Sequence, residues 1–116
     1  MQKVGVPILA GTDTGNPFCF PGFSLHDELA LLVIAGLTPV EALRSATLNP
    51  AKFFGLERTL GTIEQGKIAN VVLLDANPLE DIRNTQRINV VVSNGRPFDR
   101  KALDKMLAAA EGAANP

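Results

Sequence analysis

The chain has 116 residues, 46% of them hydrophobic and 20% charged, so it can bury a modest core and is not a disordered segment. With 11 basic residues against 12 acidic ones, the formal net charge is -1, which argues against nucleic acid or an anionic membrane as partner. A single cysteine, Cys19, excludes an internal disulfide and fits a reducing, cytoplasmic setting.

The first expected element is a strand over 4–10, an apolar run broken by Gly5 and Pro7. It runs into Gly11-Thr12-Asp13-Thr14-Gly15, which places Asp13 on a turn between two glycines. A residue at the end of such a strand faces the site in α/β barrels. A carboxylate there can equally do no more than cap its own turn. Residues 14–23 form a loop rich in Gly and Pro, yet apolar through Phe18, Phe20 and Phe23. Phe20 and Phe23 either line a substrate pocket or pack under the loop.

Ser24 reads as the N-cap of a helix over 25–35 that Gly36 stops. Asp27 and Glu28 sit in its first turn, where the helix dipole favours negative charge. Leu25, Leu29, Leu32 and Val33 share one stripe, while Leu31 and Ile34 lie on other faces, so the helix is expected to be covered on more than one side. Thr38-Pro39-Val40-Glu41 is a capping box with proline at the first helical position, opening a helix over 40–47. Asn49-Pro50 repeats the device and opens a short helix through Phe53 and Phe54, ended by Gly55.

Beyond Thr59 the pattern turns to strands. Residues 61–67 read as a short strand and glycine turn, and 68–74 as a mostly buried strand ending at Asp75. A loop opens at Asn77-Pro78 and holds a helical turn over 79–82. A strand follows over 90–92, and Asn94-Gly95 prefers a tight hairpin turn. Asp99 caps a last helix over 101–110 with Leu103, Met106 and Leu107 on one face, and 112–116 is expected to fray. No signal-peptide pattern opens the sequence, and its longest apolar run, 29–37, is too short for a bilayer.

The inventory of reactive groups is small. A zinc site takes about three or four His, Cys or carboxylate ligands, and this sequence offers one His and one Cys. Asp13 and His26 flank the Pro/Gly loop and can face one pocket, but two groups do not make a metal site. Cys19 and His26 lack a third group to orient them as a nucleophile and base. There is no glycine-rich phosphate loop and no serine nucleophile motif.

Six pieces in order carry a resemblance. They are Gly-Thr-Asp-Thr-Gly at 11–15, Ser-Leu-His-Asp-Glu-Leu at 24–29, Ala-Gly-Leu-Thr-Pro-Val-Glu-Ala-Leu at 35–43, Ala-Thr-Leu-Asn-Pro-Ala at 46–51, Gly-Thr-Ile-Glu-Gln-Gly-Lys-Ile-Ala-Asn-Val-Val-Leu-Leu-Asp at 61–75 and Val-Ser-Asn-Gly-Arg at 92–96. Together they resemble the C-terminal end of the amidohydrolase superfamily, in its imidazolonepropionase and Xaa-Pro dipeptidase-like branch. The resemblance covers residues 4–97.

The resemblance implies an α/β chain: the last strand and helices of a (β/α)8 barrel over 1–58, part of a small β-sandwich over 59–98, and a C-terminal helix with its tail over 99–116. It implies a divalent metal, zinc above all, in a full-length parent, with Asp13 as both metal ligand and general base. His26, Phe20 and Phe23 become candidate contacts to a small-molecule or peptide-like substrate; for His26 a packing or capping role stands equally open. The reaction implied is hydrolysis of an amide, peptide-like or cyclic C–N bond.

The family's His-x-His, its bridging Lys or carboxylate and its later His ligands are absent. The chain is therefore expected to be a C-terminal piece of such an enzyme, inactive alone and holding no metal tightly. A non-catalytic module that self-associates or binds a partner is the alternative. Asn70 stands where the family has Asp, at a position expected to be structural. The exposed faces of 4–10, of the helix over 25–37 and of the phenylalanines lead to the expectation of a homo-oligomer.

Overall fold

The computed structural model describes residues 5–114. Val4 of the expected first strand and residues 115–116 of the expected tail lie outside them. The described chain is an α/β unit of four helices, one 3-10 helix and a three-stranded antiparallel sheet. The helices are α1 (Ser24–Ile34), α2 (Pro39–Ala46), α3 (Leu48–Phe53) and α4 (Arg100–Ala114). The strands are β1 (Val71–Leu74), β2 (Ile88–Ser93) and β3 (Arg96–Phe98), in that order across the sheet, and the 3-10 helix covers Ile82–Gln86 between β1 and β2. No helix of the described residues is long and apolar enough to cross a membrane.

The helix ends follow their local chemistry. At α1 the chain turns at Gly36, with φ at 108°. Gly36 N–H donates to the Val33 carbonyl over 3.0 Å and Leu37 N–H to the Leu32 carbonyl over 3.1 Å, a Schellman closure. Gly55 closes α3 in the same way, with Leu56 N–H on the Ala51 carbonyl at 2.7 Å. Thr38 and Glu41 form the expected capping box at α2: Glu41 N–H donates to Thr38 Oγ1 and Thr38 N–H to Glu41 Oε2.

Two expected caps are not caps. Phe23 is the N-cap of α1, and Ser24 Oγ instead accepts the Phe20 N–H over 2.7 Å, fastening the loop to the helix it enters. Helix α3 begins at Leu48, before Asn49, whose side-chain amide is used elsewhere.

Two expected strands are also absent. Residues 6–13 join no ladder among the described residues. A strand is made by a partner, and here the backbone is bonded to helices instead. Ala10 N–H donates to the Ser45 carbonyl in α2 over 2.9 Å, and Asn49 Nδ2 of α3 donates to the Ile8 carbonyl over 2.9 Å. Residues 61–67 form turns around an ammonium. Lys67 Nζ donates to the Glu57 carbonyl at 2.7 Å, to Glu64 Oε1 at 3.3 Å and to Thr62 Oγ1.

The sheet is shorter at its start than the sequence predicts. β1 begins at Val71, because Asn70 leaves the extended run and its Oδ1 accepts the Asn94 N–H over 2.7 Å. That is the structural role expected of position 70. Asn94 and Gly95 both take positive φ, 51° and 81°, as an Asn-Gly hairpin turn requires. β1 pairs with β2 from Val71 opposite Val92 to Leu74 opposite Ile88, with an irregularity between Leu73 and Leu74.

The core lies where α1, α2 and the 3-10 helix meet. Leu29, Ala42 and Ile82 are its buried members, with Leu32, Val33 and Leu43 packed against them. Helix α4 runs on to Ala114 rather than ending near 110, and none of its residues is buried. Of its apolar face, Met106 and Leu107 are exposed. It is tied down at its start, where Asp99 Oδ1 accepts the Ala102 N–H and Arg100 Nη1 donates to the Ile88 carbonyl.

Gly61 joins the two halves by close approach. Its φ is 92°, and a Cβ there would stand 2.8 Å from the Ala51 Cβ and 3.1 Å from the Leu48 Cα. Gly66 has a similar φ of 90° but open space around it. Alanine at either site meets backbone strain of about 1–3 kcal/mol. Only Gly61→Ala adds an overlap with α3, worth about 1–3 kcal/mol more. Urea unfolding of the two variants is expected to show that difference; equal losses would mean that residues 59–68 do not press on α3.

Candidate functional site

Asp13 stands on the loop between the 8–11 segment and α1. Its φ is 50°, in the left-handed region that Asp and Asn tolerate better than other side chains. Asn16 Nδ2 donates to its Oδ2 over 2.8 Å and to its carbonyl over 3.2 Å, so the local turn is closed around the carboxylate. The residue is exposed. Asp13 thus has the turn geometry of one sequence reading, with a carboxylate still open to solvent as the other needs.

Three helices hold the backbone just before it. Besides the bonds from Ser45 and Asn49, Glu28 Oε1 of α1 accepts the Gly11 N–H over 2.8 Å. Ser45 is fully buried, so the α2 end of this clamp sits in the packed part of the molecule. Sequence reasoning places Glu28 in the first turn of its helix as a partner for the dipole; the structure uses it for a contact 17 residues away. No local signal announces such a bond.

His26 belongs to a different place. Its Nδ1 lies 3.0 Å from Thr85 Oγ1, 59 residues away in sequence. Thr85 Oγ1 donates its own proton to the Ile82 carbonyl over 2.9 Å, so it accepts from His26. The network therefore assigns the proton to Nδ1 and leaves Nε2 with a free lone pair. The ring borders a cavity of about 630 Å³ between α1, α2 and the sheet, walled mainly by apolar side chains such as Leu29, Leu43, Val71, Leu74 and Ile88.

Asp13, Phe20 and Phe23 are not among the residues around that cavity. Phe20 and Phe23 are each 62% exposed on the loop after Asp13, so they are not packed beneath it. The structure does not bring Asp13 and His26 into one cavity. Cys19 is free and partly buried.

Among the described residues, no three His, Cys, Asp or Glu side chains come together to hold a metal ion. Asp13 can supply one donor, and a zinc site takes about three or four. The described residues therefore do not fit a metal by themselves.

With this geometry in view, comparison with known proteins is direct. Residues 1–98 match the amidohydrolase family, and the chain belongs to it. Its relatives include imidazolonepropionases and Xaa-Pro dipeptidase-like proteins. Imidazolonepropionase from Pseudomonas savastanoi pv. phaseolicola is 40% identical over 83 residues, 71% of this chain and 20% of that protein. The crystal structure of a putative prolidase from Bifidobacterium longum superposes with a TM-score of 0.78 at 37% identity, over 95% of this chain and 28% of that one. A Xaa-Pro dipeptidase with methionine bound in its active site gives a TM-score of 0.75 at 34% identity, over 84% and 23%. The chain thus spans about a fifth of the curated relative and about a quarter of the solved structures. The family consists of hydrolases that generally use a divalent metal.

Burial pushes the His26 imidazole below its ordinary value of 6.5, against the smaller opposing pull of Asp27. The folded chain then binds that proton more weakly than the unfolded chain does. Stability contributed by the neutral ring is present above 6.5 and is lost as pH falls toward the lowered folded value. His26 is the only histidine, so few other groups titrate in this window. The thermal midpoint is expected to fall between about pH 7.5 and about pH 5.5, and His26→Asn to flatten that fall. An unchanged slope in the variant would place the pH dependence elsewhere.

Proposed function

We propose that this chain supplies the C-terminal part of a metal-dependent amidohydrolase that cleaves an amide, peptide-like or cyclic C–N bond in a small-molecule or peptide-like substrate. Residues 5–58 are read as the end of the family's barrel, 59–98 as part of its β-sandwich and 99–114 as an appended helix. Asp13 is the residue assigned to the reaction. The observation that carries this assignment is the anchored segment: a carboxylate in a fixed left-handed turn, directly after a backbone held by α1, α2 and α3.

Asp13 would be one donor to a divalent metal, zinc on the resemblance to the family, with the other donors outside the described residues. Asp13's own part is to take the proton of the attacking water, a task that needs an ionised carboxylate held in reach. Phe20 and Phe23, on the same loop, are suited to an apolar wall for the substrate. His26 takes the packing role of the two open to it, since its Nδ1 proton is engaged by Thr85 and its cavity excludes Asp13.

The remaining metal donors must come from polypeptide beyond these 116 residues, so the chain alone is read as inactive. A second reading, a module that self-associates, is supported by the extent of its exposed surface. The chain exposes 8586 Å², against about 6,100 Å² for a compact monomer of its mass.

In an enzyme that carries this segment together with the rest of the family's barrel, Asp13→Asn is expected to lower turnover at least about a hundredfold. Its circular dichroism should stay that of the unaltered protein. Near-normal turnover would show that the reacting carboxylate is not Asp13.

A further inference from the structure

Glu28 has a geometry that the proposed reaction does not use. One oxygen, Oε1, accepts the Gly11 N–H over 2.8 Å. The other, Oε2, is buried with no hydrogen-bond partner. Withdrawing a carboxylate oxygen from water is unfavourable unless the group gains elsewhere. Its gain here is the hydrogen bond to the Gly11 amide, which ties the loop backbone to α1. The bonded amide lies two residues before Asp13. Of the three anchors on this segment, at Ile8, Ala10 and Gly11, Glu28 provides the one nearest to Asp13 in the chain.

Gly11 has an ordinary backbone angle, whereas Asp13 does not; its φ of 50° needs a surrounding that holds it. The Asn16 amide holds the Asp13 side chain from the following side. Glu28 holds the backbone from the preceding side. Together they fix the turn at both ends, one through a local bond and one through the body of α1.

We propose that Glu28 is the positioning residue for Asp13: the reach of its side chain, from α1 to the Gly11 amide, sets where the Asp13 turn stands. The proposal rests on the reading of Asp13 as the reacting carboxylate. What matters is length rather than charge. Gln keeps an acceptor oxygen at the same reach and adds a donor in place of the unpartnered Oε2. Asp keeps the charge and falls one methylene short.

The test is amide hydrogen exchange at Gly11, with the Asp13 carboxyl carbon resonance, in the 116-residue chain and its Glu28→Gln, Glu28→Asp and Glu28→Ala variants. Exchange at Gly11 is expected to quicken by about tenfold or more in the Asp and Ala variants and to stay within about threefold in the Gln variant, the difference made by one bond to a charged or amide acceptor. The Asp13 resonance should move in the first two and not in the third. Amides of Leu29 and Ala42 should keep their protection throughout. If Glu28→Ala does not fold, the Gln and Asp pair decides.

Wild-type exchange at Gly11 in Glu28→Asp would overturn the proposal. So would quickened exchange in Gln with protection kept in Asp, which would make charge the cause. Loss spread evenly over α1 and α2 would also overturn it, by reducing Glu28 to general stability. These failures are separate from that of the underlying reading, which fails through an active Asp13→Asn enzyme while the exchange pattern at Gly11 stands.

Discussion

The controlling constraint on this chain is shortage of cover. Its apolar content suits a core, yet among the described residues the buried apolar ones are Leu29, Leu37, Ala42, Ala51 and Ile82, two of them alanines. Its radius of gyration is 15.4 Å, where a compact chain of this length has about 13.4 Å. Leu31 and Ile34 of α1 are 63% and 72% exposed, and Phe18, Phe20, Phe23, Phe53 and Phe54 are exposed as well. Apolar surface left in water forgoes about 25 cal/mol per Å², so these faces together withhold a sizeable part of a small domain's stability. Helix α1 is apolar on more than one side, and among the described residues no second surface covers Leu31 and Ile34.

The same shortage explains how the candidate site is built. With no neighbouring strand for residues 6–13 among those described, the backbone before Asp13 is fixed by a main-chain carbonyl of α2, an amide side chain of α3 and a carboxylate of α1. Those helices are in turn fixed by local signals, the Thr38–Glu41 box and the Gly36 and Gly55 closures. Position thus passes from caps to helices to the turn that carries Asp13. On the proposed function, the chain holds one reacting group in place and leaves its partners in catalysis to other polypeptide.

Much of this could be read from the sequence, and the division has a physical basis. Capping boxes, glycine closures and an Asn-Gly hairpin act within a few residues, so Thr38, Gly36, Gly55, Asn94 and Gly95 announce their structure directly. The glycines on either side of Asp13 place it on a turn, and comparison with the family pattern gives Asn70 a structural role. Contacts made across the fold gave no such signal. Glu28 reads as a dipole partner and Ser24 as a cap until the distant or folded-back group that each bonds is known. The pairing of His26 with Thr85 joins residues that no local pattern links. Residues 4–10 read as an apolar strand and 61–67 as a short strand and glycine turn, but a local pattern does not provide a pairing edge, and Lys67 gathers the second stretch into turns.

The folded chain does not cover its own apolar faces. A symmetric second copy laid against α1 is the simplest cover, and an interface between obligate partners buries about 2,000–5,000 Å² in total. Multi-angle light scattering of the purified 116-residue chain at micromolar concentration measures this directly. The account predicts a dimer or larger assembly. A soluble monomer that melts in one cooperative transition would contradict it, because such a chain would be covering that surface unaided.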